Sequence, residues 1–235
     1  MKNIIYDYVI VDEASQVDLT TGVLAMSCAK NMVIVGDLKQ LPNVVPEDVR
    51  KTIAQLSIGN NIALNYRYEE NSLLSSMCKT YENISRTLLR EHYRCHPKII
   101  GFCNQKFYNN QLVIMTQDNG ESDVLKAYIT VEGNHARGHF NQRQIDEITN
   151  NILPELNSSD VGIIAPYKDQ TSALAEEITG QIDISTVHKF QGREKDDIII
   201  STVDNEITEF TDNPNMLNVA VSVSYTHLRA HETLA

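Results

Sequence analysis

The chain has 235 residues, 42% of them hydrophobic, enough apolar content for packed cores and against wholesale disorder. Its net charge of -11 excludes a generally basic surface, so any nucleic-acid path has to be a local groove, because non-specific binding of a polyanion rests on Lys and Arg. No apolar stretch reaches the roughly 18 residues that suggest a membrane span. Cys28, Cys78, Cys95 and Cys103 lack any C-x-x-C spacing. With no secretory leader in front of them, they point to a reducing, cytoplasmic setting.

The first apolar run, Ile4 to Val11, ends in Asp12-Glu13-Ala14-Ser15-Gln16, and a second, Met32 to Val35, ends in Gly36-Asp37. Each reads as a buried parallel strand with acids at its carboxyl end, and Thr20 to Ala29 reads as the crossover between them. Ligands of open α/β sheets bind beyond those ends, so Asp12, Glu13, Asp37 and Gln40 form one expected polar site. That is the layout of a nucleotide-hydrolysing centre. Leu73, Leu74 and Met77 place an amphipathic helix over Asn71 to Tyr81, and a domain boundary is expected near Glu82 to Thr87.

Beyond it, Pro97 suits the first turn of a helix whose apolar residues are Ile99, Ile100, Cys103 and Phe107. Ala127 to Val131 reads as a strand, and Ile145, Ile148, Ile152 and Leu156 recur at helical spacing. Val161 to Ala165, Ile182 to Val187 and Asp197 to Val203 follow as strands, with a helix over Asp169 to Thr179 after the first. Alternating strands and helices predict a parallel α/β sheet.

Five strings occur in a fixed order: Asp12-Glu13-Ala14-Ser15-Gln16, Gly36-Asp37-Leu38-Lys39-Gln40-Leu41-Pro42, His92-Tyr93-Arg94-Cys95-His96-Pro97, Ala165-Pro166-Tyr167 with Gln170, and Thr186 to Glu194. On these residues the chain resembles the superfamily 1B helicases related to the nonsense-mediated-decay RNA helicase and the replication nuclease-helicase. The resemblance covers motifs II, III, IV, IVa and V and the start of VI, over about residues 4 to 222. It implies RecA-like parallel sheets, with residues 1–85 the carboxyl half of a first domain and 86–222 a nearly complete second one. It also implies ATP and Mg²⁺ as cofactors, single-stranded DNA or RNA as partner, and 5′-to-3′ movement.

Residue roles follow from the same resemblance. Asp12 holds Mg²⁺ through water and Glu13 orients or deprotonates the attacking water, since phosphoryl transfer depends on positioning and charge neutralisation. Gln40 senses the γ-phosphate, and Asp37 braces its loop. Arg94 supplies the planar, always-charged fork that a phosphoryl transition state needs. Tyr93 packs near the base, Gln191 and Gly192 couple the two sites with Gly192 allowing close approach, and Glu194 contacts ribose. Pro166, Tyr167, Thr186 and His188 lie along the strand, where Tyr167 stacks on a base. Many relatives carry Asp-Ser where this chain has His188-Lys189.

Other polar residues read more plainly. Lys195 is expected to be a solvated loop charge, and His135 and His139 loop residues. His92, Cys95, His96 and Cys103 lack the tight pairing of a zinc site. The paired cysteines of iron-sulfur relatives are absent too, so neither zinc nor a cluster is expected.

The sequence departs from the family at both ends. No G-x-x-x-x-G-K-[ST] phosphate loop occurs, so the chain is expected to be an internal fragment that is inactive alone. After Leu217 to Ser222 the family would continue motif VI with Arg-Ala and a basic residue. Here Val223 to Thr233 reads like the translation of a sequencing adapter, so residues 223–235 are expected to be a non-native tail that packs poorly. Two alternatives stay open: a non-catalytic RecA-like binding module, and a metal-dependent nuclease using Asp12 with Asp37-Leu38-Lys39.

Overall fold

The computed structural model describes residues 5–130, 133, 135–208 and 211–233. The chain divides into two units, Met1–Leu88 and Leu89–Ala235. Ile4 and Val131, assigned to strands above, and Leu234 and Ala235 of the tail lie outside the described residues.

In the first unit β1 (Tyr6–Val11) and β2 (Ala29–Ile34) pair in parallel, with Ile10 opposite Val33. Between them runs α1 (Leu19–Met26), capped by Asp18, whose carboxylate accepts the Thr20 and Thr21 N–H groups at 2.9 and 3.0 Å. Bonds from the Thr21 hydroxyl and backbone hold that carboxyl below its ordinary range. Next come α2 (Glu47–Gly59), with Glu47 and Asp48 at its electropositive start, and α3 (Leu73–Thr80), capped by Ser72.

The parallel pairing is as expected, but the burial of these strands is not. Tyr6, Tyr8 and Ile10, alternate residues on one face, are 62%, 65% and 68% exposed. Among the described residues the sheet has only two strands. An apolar run records that a strand is built for burial; whether it is buried depends on how many layers surround it.

The second unit holds a five-stranded, all-parallel sheet of β5 (Leu125–Thr130), β6 (Val161–Ala165), β7 (Asp183–Thr186), β8 (Lys195–Ser201) and β9 (Ser224–Thr233), in the order β5-β9-β8-β6-β7. A short pair, β3 (Glu91–His92) with β4 (Val113–Ile114), flanks α4 (Pro97–Phe107). Then α5 (Gln142–Glu147) runs through a π-helical turn, Ile148–Ile152, into α6 (Leu153–Glu155). Ile145, Ile148 and Ile152 have no exposed surface and pack on Val161, Ile163, Leu174 and Ile199. Each such side chain contributes about 1.5–3 kcal/mol, an upper bound because denatured chains already bury some surface. The remaining helices are α7 (Lys168–Glu177), α8 (Val187–Phe190) and α9 (Pro214–Ser222). Among the described residues no helix is long and apolar enough to cross a membrane.

The described part of the tail does not pack poorly. Strand β9 lies between β5 and β8 and bonds to both, with Val223, Ser224 and Leu228 buried. The ladder explains this, because main-chain groups of any extended segment can fill an interior slot and satisfy both neighbours.

Candidate functional site

Asp12 and Glu13 leave β1 exposed to solvent. Asp12 Oδ1 accepts the Glu13 N–H at 2.8 Å, and the Gln16 amide donates to Glu13 Oε2 at 3.2 Å. Glu13 takes a φ of 49°, uncommon for a non-glycine residue. The turn returns the Ala14 N–H to the Val35 carbonyl at 2.9 Å. A Cβ on Gly36 would lie 3.1 Å from Ala14 N and 3.2 Å from Ser15 N, so this close approach calls for glycine. Asn43 N–H then donates to the Ser15 carbonyl at 3.0 Å. Asp37 does brace its loop, accepting the Lys39 N–H at 2.8 Å, and Gln40 N–H bonds the Asp37 carbonyl at 3.2 Å. Main-chain bonds thus stitch the Asp12-Glu13 loop to the Gly36–Gln40 loop at one end of the sheet.

In the second unit the Arg94 guanidinium pairs with the Glu194 carboxylate at 2.8 Å. Tyr225 bonds the other oxygen of the same carboxylate. Tyr93 is 65% exposed, its hydroxyl on Glu91. Behind Arg94, burial and the neighbouring guanidinium charge lower the pKa of His92, whose Nε2 accepts the Cys95 N–H at 2.8 Å. Gln191 ends α8, and Gly192 has φ 78°. A Cβ on Gly192 would meet nothing within 4 Å, so within the protein it is the backbone angle, not a close approach, that calls for glycine. Lys195 is no solvated charge: its ammonium lies 2.6 Å from Asp160 and 2.8 Å from Asp183, with the side chain 18% exposed. Those two acids raise its pKa.

A third group sits at the carboxyl edge of the second sheet. Pro166 and Tyr167 follow β6, Thr186 ends β7, and the strands pair with Ala165 opposite Thr186. His188 is exposed two residues on, in α8. The Tyr167 hydroxyl donates to Asp204 Oδ2 at 2.8 Å, and burial followed by that carboxylate raises its pKa. Against Tyr167 stacks His139, ring centroids 4.2 Å apart and planes 10° apart.

Under this edge lies a set of side chains of which only Gln170 belongs to a motif named above. Asn141, Gln144, Gln170 and Ser201 have no exposed surface. Gln170 accepts the Asn141 N–H at 2.8 Å and donates to Ser201 at 3.0 Å; Ser201 donates to Gln144 at 2.6 Å. Gln144 also accepts the Val203 N–H at 2.9 Å, and the Asn141 amide donates to the Val203 carbonyl at 2.9 Å. Val203 is buried at φ 69°, a strained angle for a β-branched residue, held there from both sides. One signal was available: Asn141 with Gln144 three residues on, just before Ile145, is a helix-capping pattern, and Asn141 does accept the Gln144 N–H at 3.2 Å.

Burial pushes the Cys95 and Cys103 thiols up to about 12, which disfavours the thiolate a metal needs. His96 comes close to Asp118 and Glu121, with Nε2 at 3.5 and 3.3 Å from their oxygens. Its Nδ1 accepts the Lys98 N–H at 3.2 Å as the cap of α4, which leaves Nε2 on the side of the two acids.

An AAA domain model matches residues 69–137 and 132–230, and a second AAA domain model matches residues 1–47. An uncharacterized ATP-dependent helicase of Caenorhabditis elegans is 29% identical over 90% of this chain and 15% of its own length. The DNA replication ATP-dependent helicase/nuclease dna2 of Schizosaccharomyces pombe is 27% identical over 92% of the chain and 18% of its length. Helicase sen1 of the same yeast is 29% identical over 84% and 13%. The chain therefore spans less than a fifth of these relatives. The solved complex of Arterivirus nonstructural protein 10, a helicase, with DNA shares the fold at a TM-score of 0.51 and 14% identity, covering 95% of this chain and 39% of that one. On its parallel sheet and these matches, the chain belongs to the AAA domain family and is similar along most of its length to a stretch of ATP-dependent helicases.

Proposed function

We propose that the longer protein is an ATP-dependent helicase or translocase that moves along single-stranded DNA or RNA, 5′ to 3′, in the cytoplasm. The carrying observation is the stitching of the Asp12-Glu13 loop to the Gly36–Gln40 loop, which holds the hydrolytic residues at one sheet end. Exposed carboxylate oxygen suits a hydrated Mg²⁺, and Asp12 would hold it through water. When bound, the ion would neutralise phosphate charge. Glu13, steadied by Gln16, takes a proton from the attacking water. Gln40 reports the γ-phosphate state, and Arg94, leaving Glu194, stabilises the developing charge. Tyr93, Gln191, Gly192 and Glu194 serve the nucleotide; Pro166, Tyr167, Thr186 and His188 serve the strand.

The isolated chain has no phosphate loop in its sequence, so it binds strand without turnover. Residues 223–235 are non-native sequence absent from the parent; resequencing the locus and recovering this tail as coding DNA refutes that.

The functional test is ATP turnover and single-strand affinity, side by side, on variants of the full-length parent. Glu13→Gln should slow hydrolysis with ATP still bound, Arg94→Ala should slow it about 10³- to 10⁵-fold, and both should keep strand affinity. Tyr167→Ala should weaken strand binding with hydrolytic residues intact. Parental turnover in Arg94→Ala overturns its assignment.

A further inference from the structure

We propose that His139, which no motif contains, is the outer leaf of a two-ring platform with Tyr167 on which an unpaired nucleobase stacks. The inference rests on the strand-binding reading of the carboxyl edge and assigns the residue that meets the base. One face of the Tyr167 ring is already covered by His139, 4.2 Å away and nearly parallel. Tyr167 is half-buried whereas His139 is exposed. A base arriving here therefore meets His139 first and extends the column of rings by one.

Both rings stand on segments that the buried amides join. His139 stands two residues before Asn141 and Tyr167 three before Gln170, and the Asn141 N–H bonds Gln170 directly at 2.8 Å. The Tyr167 hydroxyl is tied to Asp204, which follows the strained Val203 and also accepts the Thr208 hydroxyl at 3.3 Å. A platform held this way loses little freedom when a base lands, which is what makes stacking contribute to affinity. Lys168, the exposed residue after Tyr167, supplies positive charge beside it in a chain of net charge -11. Stacking reads no base edge, so the ligand class is single-stranded nucleic acid with little sequence preference.

The test measures binding of the full chain to an oligothymidylate of about 12 nucleotides and to an abasic oligomer of equal length, by fluorescence anisotropy. Wild type should prefer the base-bearing strand. His139→Ala should weaken that strand about 5- to 150-fold, the range for one lost stack, and leave the abasic oligomer unchanged. His139→Phe should restore most of the preference. If wild type binds and His139→Ala binds the base-bearing strand equally well, the platform is wrong and strand binding stands. If wild type binds neither oligomer, the strand-binding reading fails and the platform with it.

Discussion

The two units solve the same problem, holding polar side chains beyond the ends of parallel strands, with different means. In the first, backbone bonds between Ala14, Ser15, Val35 and Asn43 hold the acids over a two-stranded sheet with one face in solvent. In the second, side-chain amides with no exposed surface join the segments that carry the rings, over a five-stranded sheet with a dense isoleucine core. A backbone-stitched loop needs only local contacts, whereas an amide-rooted edge inherits the stability of its whole domain.

Several measurements can break or sharpen that contrast. The largest stability effect is expected for Ile163→Ala, a residue with no exposed surface, at about 2–5 kcal/mol in urea unfolding. A loss below about 1 kcal/mol would mean that the second core is looser than its packing indicates. Gln170→Leu strands the Asn141 N–H and Ser201 hydroxyl and should cost about 1–3 kcal/mol. It should also lower affinity for the base-bearing strand; unchanged affinity would show that the rings do not depend on the amides.

Glu194→Gln removes one partner from a half-exposed ion pair and should change stability by under about 1 kcal/mol. The smallest effect is expected for Ile10→Ser, within about 0.5 kcal/mol, because Ile10 is already 68% exposed. Hydrogen exchange adds a direct comparison: amides of β6 and β8 should exchange far more slowly than those of β1 and β2. Equal protection would erase the contrast.

What the sequence made legible follows the same division. Parallel strands, acids at strand ends, the Pro97 helix start and the Ile145–Ile148–Ile152 stripe are local patterns, and the structure contains each of them. The exposure of Tyr8 and Ile10 was not legible, because burial depends on neighbouring layers rather than on a strand's own residues. Asn141, Gln144 and Gln170 look like surface amides until three dimensions pair them, and hydrophobic periodicity is blind to polar groups that satisfy each other. His139 failed for a related reason: its partner ring lies beyond α5 and β6 in sequence.

The position of β9 has a consequence for how this chain folds. It follows every other strand of its sheet in sequence yet lies between two of them, so β5 meets its neighbour only roughly a hundred residues after it has been made. Until β9 is in place, β5 and β8 present unpaired edges towards a gap. Strand closure is therefore the step at which the second unit of this chain is most exposed to aggregation.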